Sequence, residues 1–236
     1  MSPETRYLEI EYRPSYWVHH LRAEIARTPA LVAADAQWAT SPLLDLAFTL
    51  ETRIGNLIEI QRQTDESFAV VGQELASVAE LDSLVAGGYA YRMENQVALR
   101  RIIIGLNSLV IESRSCFETL SRFYRNFLRI YFGETISDVA SYERVAAAVP
   151  VPGWAEELRL TRHDIVHERS PWIRFKVQQT PPPRFQAVLL LEYRLGAPPR
   201  PGDEITLESL RAAQDNLTAA LATIRSELID RVRAFQ

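Results

Sequence analysis

The chain has 236 residues, 47% of them hydrophobic and 24% charged, with a formal net charge of −4. This length suffices for one well-buried domain or two small ones, and the composition excludes an intrinsically disordered chain. The mild acidic balance excludes a global attraction to nucleic acid or an anionic membrane, so a nucleic-acid partner would have to meet a local basic patch.

In chain order, residues 6–12 (RYLEIEY) alternate with Leu8, Ile10 and Tyr12 on one side, a short strand candidate ended by Pro14. A helix is expected at about 15–27, with Val18, Leu21 and Ile25 on one face. Thr28-Pro29 and Ser41-Pro42 each put a cap residue before a proline at the first helical position. The second pair opens a helix expected to run through Gln63, and a further helix is expected from about 66 to 86, stopped by Gly87-Gly88.

The strongest pattern spans 94–132. Ile103, Leu106, Val110, Phe117, Leu120, Tyr124, Phe127 and Tyr131 follow a helical spacing broken only by Ser113. A second row, Ile102, Leu109, Cys116, Phe123 and Ile130, widens the buried face, as expected of the central helix of a bundle. Unbroken, this helix would be roughly 55–60 Å long, with a bend expected near Gly105. A shorter helix is expected at about 137–148, a turn at PVPG (150–153), and another helix from Trp154 to the stop at Ser170-Pro171. Alternation at 173–177 and 185–193 predicts a hairpin, with the N-terminal strand as a candidate neighbour. GAPPRPGDE (196–204) reads as a surface linker, and the last helix occupies about 207–235. The fold class is mainly α, a single helical domain over 1–236 with a small antiparallel β hairpin.

The basic residues are 25 arginines and one lysine, Lys176. Arginine is the better bidentate donor to phosphate and carboxylate, although such a skew also follows from GC-rich coding. The single cysteine, Cys116, excludes an intrachain disulfide and a multi-cysteine metal site, and its apolar surroundings predict a buried structural thiol. The start, MSPETRYLEIEY, lacks the layout of a signal peptide, and Arg, Glu and Asn interrupt every apolar run. A cytoplasmic protein with no membrane partner is therefore expected.

Chemistry concentrates in residues 159–171, RLTRHDIVHERSP, which hold two of the four histidines. On a helical wheel Trp154, Leu158, Thr161 and Ile165 form the core-facing stripe. Arg162 then lies about 60° and Arg159 about 120° from its centre, while His163 and His167 fall at roughly 160° and 200°, opposite the core. One register, His163-Asp164-x-x-His167, is a near match to the zinc-protease helix. That chemistry needs a glutamate as general base where Asp164 stands, and no third ligand follows at a recognisable spacing. The other register pairs Arg162 with His167. An arginine fixes a scissile phosphate and stabilises its growing charge, and a histidine serves as acid or base near neutral pH. His167 is expected in the last helical turn, where the dipole favours its protonated form. A two-fold dimer would set two copies of the pair across one groove.

Arg162-His163-Asp164-Ile165-Val166-His167 resembles the R-[N/D/H]-x-x-x-H signature of the HEPN (higher eukaryotes and prokaryotes nucleotide-binding) domains. In that family the signature lies on a helix late in an antiparallel helical bundle, after a long central helix. The resemblance implies a HEPN-like bundle over 91–236, with 1–90 as an N-terminal helical elaboration. It also implies a metal-independent endoribonuclease with no cofactor, acting as a homodimer whose two motifs form a composite cleft. Arg162 and His167 would be the catalytic pair, with His163 as the polar residue accompanying the arginine. RNA is the implied substrate, and an antitoxin or nucleotidyltransferase a possible partner in a toxin–antitoxin or defence system. Some members have lost catalysis, so a non-catalytic interaction or nucleotide-binding module is the alternative, and a zinc hydrolase using His163 and His167 a further one.

Arg159 and Arg169 flank the pair as candidate substrate-binding residues, diluted by Glu156, Glu157, Asp164 and Glu168. Asp164, Glu112 and Ser113 are candidate supports, the last two if the motif helix packs against the middle of the long helix. Arg114, Arg122, Arg125 and Arg129 read either as an RNA groove or as a solvated face with local pairs such as Glu118–Arg122. His19 and His20 read as an amphipathic surface.

Overall fold

A computed structural model describes residues 17–35, 41–78, 92–163, 172–178, 184–190 and 204–235. Among them, seven helices and a three-stranded sheet make a mainly helical architecture: α1 (Trp17–Ala26), α2 (Pro29–Asp35), α3 (Pro42–Ala76), α4 (Gln96–Phe132), α5 (Asp138–Ala146), α6 (Trp154–His163), β1 (Trp172–Gln178), β2 (Arg184–Leu190), β3 (Glu204–Thr206) and α7 (Leu207–Ala234). None of these helices is long and apolar enough to cross a membrane.

Local signals explain most of the starts. Ser41 caps α3, its hydroxyl accepting from the Leu43 amide at 3.3 Å with Pro42 in the first turn. Asn95, Ser137 and Thr206 do the same for α4, α5 and α7. Thr28 precedes Pro29 at the start of α2, but its hydroxyl donates back to the Glu24 carbonyl of α1 at 3.1 Å. Gly133, at φ 68°, closes α4 in the left-handed conformation, its amide donating to the Leu128 carbonyl.

Helix α3 departs from the expected pair of helices broken near Gln63. It is one helix through Ala76, because Thr64 and Ser67 donate their hydroxyls to the Ile60 and Gln63 carbonyls at 2.7 and 2.8 Å. Polar residues that satisfy themselves on the preceding turn interrupt an apolar stripe without ending a helix. The expected stop at Gly87-Gly88 lies outside the described residues, as does the strand expected at 6–12.

Helices α3 and α4 run side by side and form the spine of the fold. Gly105, read as a bend, has a packing role: a Cβ there would lie 2.1 Å from the Thr64 hydroxyl oxygen, so its absence permits the close approach. Glu74 near the end of α3 accepts from the Asn95 amide at 2.9 Å, fastening it to the start of α4. Phe117, Phe123 and Phe127 of α4 are fully buried, with Phe127 and Tyr131 stacked at 4.6 Å between centroids. One buried cluster joins Leu21 of α1, Leu50 of α3, Phe117, Leu158 of α6 and Ile224 of α7. Trp17 adds a directional tie, its indole donating to the Leu221 carbonyl at 2.9 Å.

The sheet has the order β1-β2-β3 with both pairs antiparallel. Register runs from Trp172↔Leu190 to Gln178↔Arg184, and Leu189↔Ile205 sets the third strand. That strand begins at Glu204, the last residue of the stretch read as a linker, and directly precedes α7. Phe175 packs partly buried against the helical core.

Candidate functional site

The motif helix, α6, is anchored through its first two turns. Gly153, at φ 77°, makes the turn into it. The Trp154 indole donates to the Ala146 carbonyl of α5 at 2.9 Å, and its ring meets the edge of Phe117 at 5.4 Å and 82°. Trp154, Ala155 and Leu158 are each 3% exposed. Glu156 and Glu157 lie in the first turn, where the helix dipole favours carboxylates.

The outward residues differ sharply from one another. Arg159 is exposed and gripped by Glu156 through two hydrogen bonds of 2.8 and 2.6 Å. The same guanidinium holds the Glu156 carboxyl below its usual range. Arg159 is therefore already neutralised on its own helix. One turn on, Arg162 is partly buried, and its Nε is sealed from solvent with no hydrogen-bond partner among the described residues. It makes no ion pair among them either. His163 is exposed, on the side away from the core stripe. Asp164, His167 and Arg169 lie outside the described residues, so of the candidate catalytic set the structure describes Arg162 and His163.

Of the residues considered as supports, Glu112 and Ser113 are among the described residues. The Glu112 carboxylate is committed to α3, receiving Arg53 at 2.9 Å and Asn56 at 3.2 Å. Ser113 is 2% exposed within the apolar stripe of α4. Cys116 is fully buried, and burial pushes its thiol up to about 12, far from any nucleophilic role at neutral pH. His19 and His20 are exposed on α1. Among the described residues no group of three or more His, Cys, Asp or Glu is placed to hold a metal ion.

The arginine series of α4 resolves into separate roles. Arg114 is 7% exposed and lies over the Phe117 and Tyr142 rings, with its guanidinium 5.4 and 5.2 Å from their centroids. It donates to Glu118 at 2.9 Å and to the Tyr142 hydroxyl at 3.3 Å. Glu118 therefore pairs backward with Arg114 and not forward with Arg122. Arg125 pairs with Asp138 of α5 and Arg129 bonds Asn126, which leaves Arg122 exposed. The buried role of Arg114 was readable in principle, since it lies four residues after Val110 and three before Phe117, on the same face.

A partly buried arginine whose Nε has no acceptor among the described residues suits one chemistry in particular. Its fork of donors matches a phosphate or carboxylate, and partial desolvation strengthens that contact relative to water. Comparison of the chain with family models, with curated proteins and with solved structures gives no match.

Proposed function

We propose that the chain is a metal-independent endoribonuclease of the HEPN type, in which Arg162 and His167 act on RNA at a cleft formed by two copies of α6. The observation that carries this reading is the buried Arg162 Nε, without a partner among the described residues, while Arg159 on the same helix is paired with Glu156. The order of the elements agrees with it: a long central helix, a short helix, then the motif helix. In this reading the bundle is the HEPN-like bundle, and the strands after the motif helix are its hairpin elaboration.

Arg162 holds the scissile phosphate and stabilises the charge that grows on it. The adjacent ribose 2′-oxygen attacks phosphorus and the 5′-oxygen leaves. The product ends are a 2′,3′-cyclic phosphate and a 5′-hydroxyl. His167 of one copy takes the 2′-hydroxyl proton and His167 of the second copy supplies a proton to the leaving 5′-oxygen, with His163 beside the arginine on the exposed face. No metal or cofactor enters the sequence of steps. An antitoxin or nucleotidyltransferase chain would cover or modify this face.

The test is incubation of purified chain with RNA in EDTA, with the product ends identified. Wild type yields cyclic-phosphate ends. His167→Ala slows the reaction by about 10²–10⁴-fold, the range for loss of a general acid or base. Equal cleavage by wild type and His167→Ala sinks the catalytic assignment. RNA bound by a dimer without turnover would instead favour a non-catalytic interaction module.

A further inference from the structure

Between α1, α3 and α7 lies a cavity of about 340 Å³ that shares no residue with α6. Small-molecule sites occupy about 300–1,000 Å³ and combine apolar walls with a few placed polar groups. Here the lining includes Leu57 and Ile58 of α3, Leu217 and Leu221 of α7, and Trp17 of α1. Ile58 is 61% exposed, a large apolar side chain with little cover.

Two polar groups on this wall lack partners. Gln214 lines the cavity, is only 9% exposed, and its side-chain oxygen is buried with no hydrogen-bond partner. Buried amides are normally satisfied, so an unmet one on a cavity wall calls for a ligand atom. The second is Arg225. Helix α7 carries four arginines, of which Arg211 pairs with Asp65, Arg231 with Glu134 and Arg233 with Glu24. Arg225 alone of the four has no carboxylate among the described residues, and it lines the cavity, as does His20.

Gln214, Leu217, Leu221 and Arg225 follow helical spacing and form one stripe along α7. Eleven residues of helix separate its polar ends, ~16 Å at 1.5 Å per residue. An extended chain of about a dozen carbons has that reach. We propose that this cavity binds a linear anionic amphiphile, its carboxylate at Arg225 and His20, its acyl chain along the leucines, and a terminal hydroxyl at Gln214. A hydroxyl both donates and accepts, so it satisfies the amide in either orientation. This site stands independently of the ribonuclease reading.

The test is calorimetric titration of the full chain with 12-hydroxydodecanoate and with dodecanoate, both below micelle formation. The hydroxylated acid binds saturably, one per chain, and about tenfold more tightly than the plain one. Gln214→Leu erases that preference, and Arg225→Met weakens both acids at least tenfold. Ile58→Trp, a change at an exposed position, fills the cavity and abolishes binding; circular dichroism establishes that each variant is folded. Absence of saturable binding to wild type, or binding indifferent to Arg225→Met and Ile58→Trp, overturns the proposal.

Discussion

Two guanidinium groups of the fold, those of Arg114 and Arg162, have opposite environments. Arg114, where α4 meets α5, is buried with a carboxylate, a phenol and two aromatic rings around it. Arg162, near the end of α6, is partly buried with its Nε facing no acceptor. A buried cation is tolerated when every donor is met and is costly when one is not. Arg114 thus belongs to the structure, whereas Arg162 has a cost within the folded chain that an external anion would relieve. Function is expected where the fold leaves such a group unmet.

The comparison can be broken first at its shared foundation. Phe117 touches Tyr142 at 4.9 Å and Trp154 at 5.4 Å, so it supports both the Arg114 corner and the anchor of α6. Phe117→Ala should lower stability by about 3–5 kcal/mol in denaturant titration, the usual cost of emptying a buried aromatic site. A loss below about 1 kcal/mol would mean that the corner is not close-packed.

A smaller effect is expected at Arg114 itself. Arg114→Met keeps the stem's packing but removes the charged hydrogen bonds, costing about 1–3 kcal/mol by the same titration. An unchanged midpoint would remove the structural role assigned to it. The smallest effect concerns Cys116, whose thiol burial pushes up to about 12. A thiol with a raised pKa stays protonated through pH 8, so iodoacetamide should leave the native chain unlabelled and modify Cys116 only after unfolding. Rapid native labelling would show that the α3–α4 interface opens.

The elements differ in how far their sequence disclosed them. Helix α4 was legible because Phe117, Tyr124 and Tyr131 keep one face apolar over ten turns, a signal that tertiary context only reinforces. The continuity of α3 was not, because Thr64 and Ser67 look like an interruption until their hydroxyls are placed on the preceding turn. In the sequence Gly105 suggests a bend, whereas its close approach to Thr64 is a fact about a neighbour on another helix. Glu118 could pair with an arginine four residues before or after it, and Tyr142 on α5 favours the earlier one. The site itself was half legible. The wheel for residues 154–169 put His163 away from the core stripe, in agreement with its exposure, whereas Arg162, taken with the outward half of the helix, is partly buried. The ion pair that occupies Arg159, and the lack of one at Arg162 among the described residues, depend on side-chain placement that spacing alone does not give.

The central claim is that Arg162 is retained for an anion and not for the fold. Arg162→Met tests it most directly, with thermal unfolding and RNA cleavage in EDTA measured on the same preparation. The account predicts an unfolding temperature equal to or above that of wild type, because an unmet buried donor is gone, together with loss of cleavage. A marked fall in unfolding temperature with cleavage intact would contradict it.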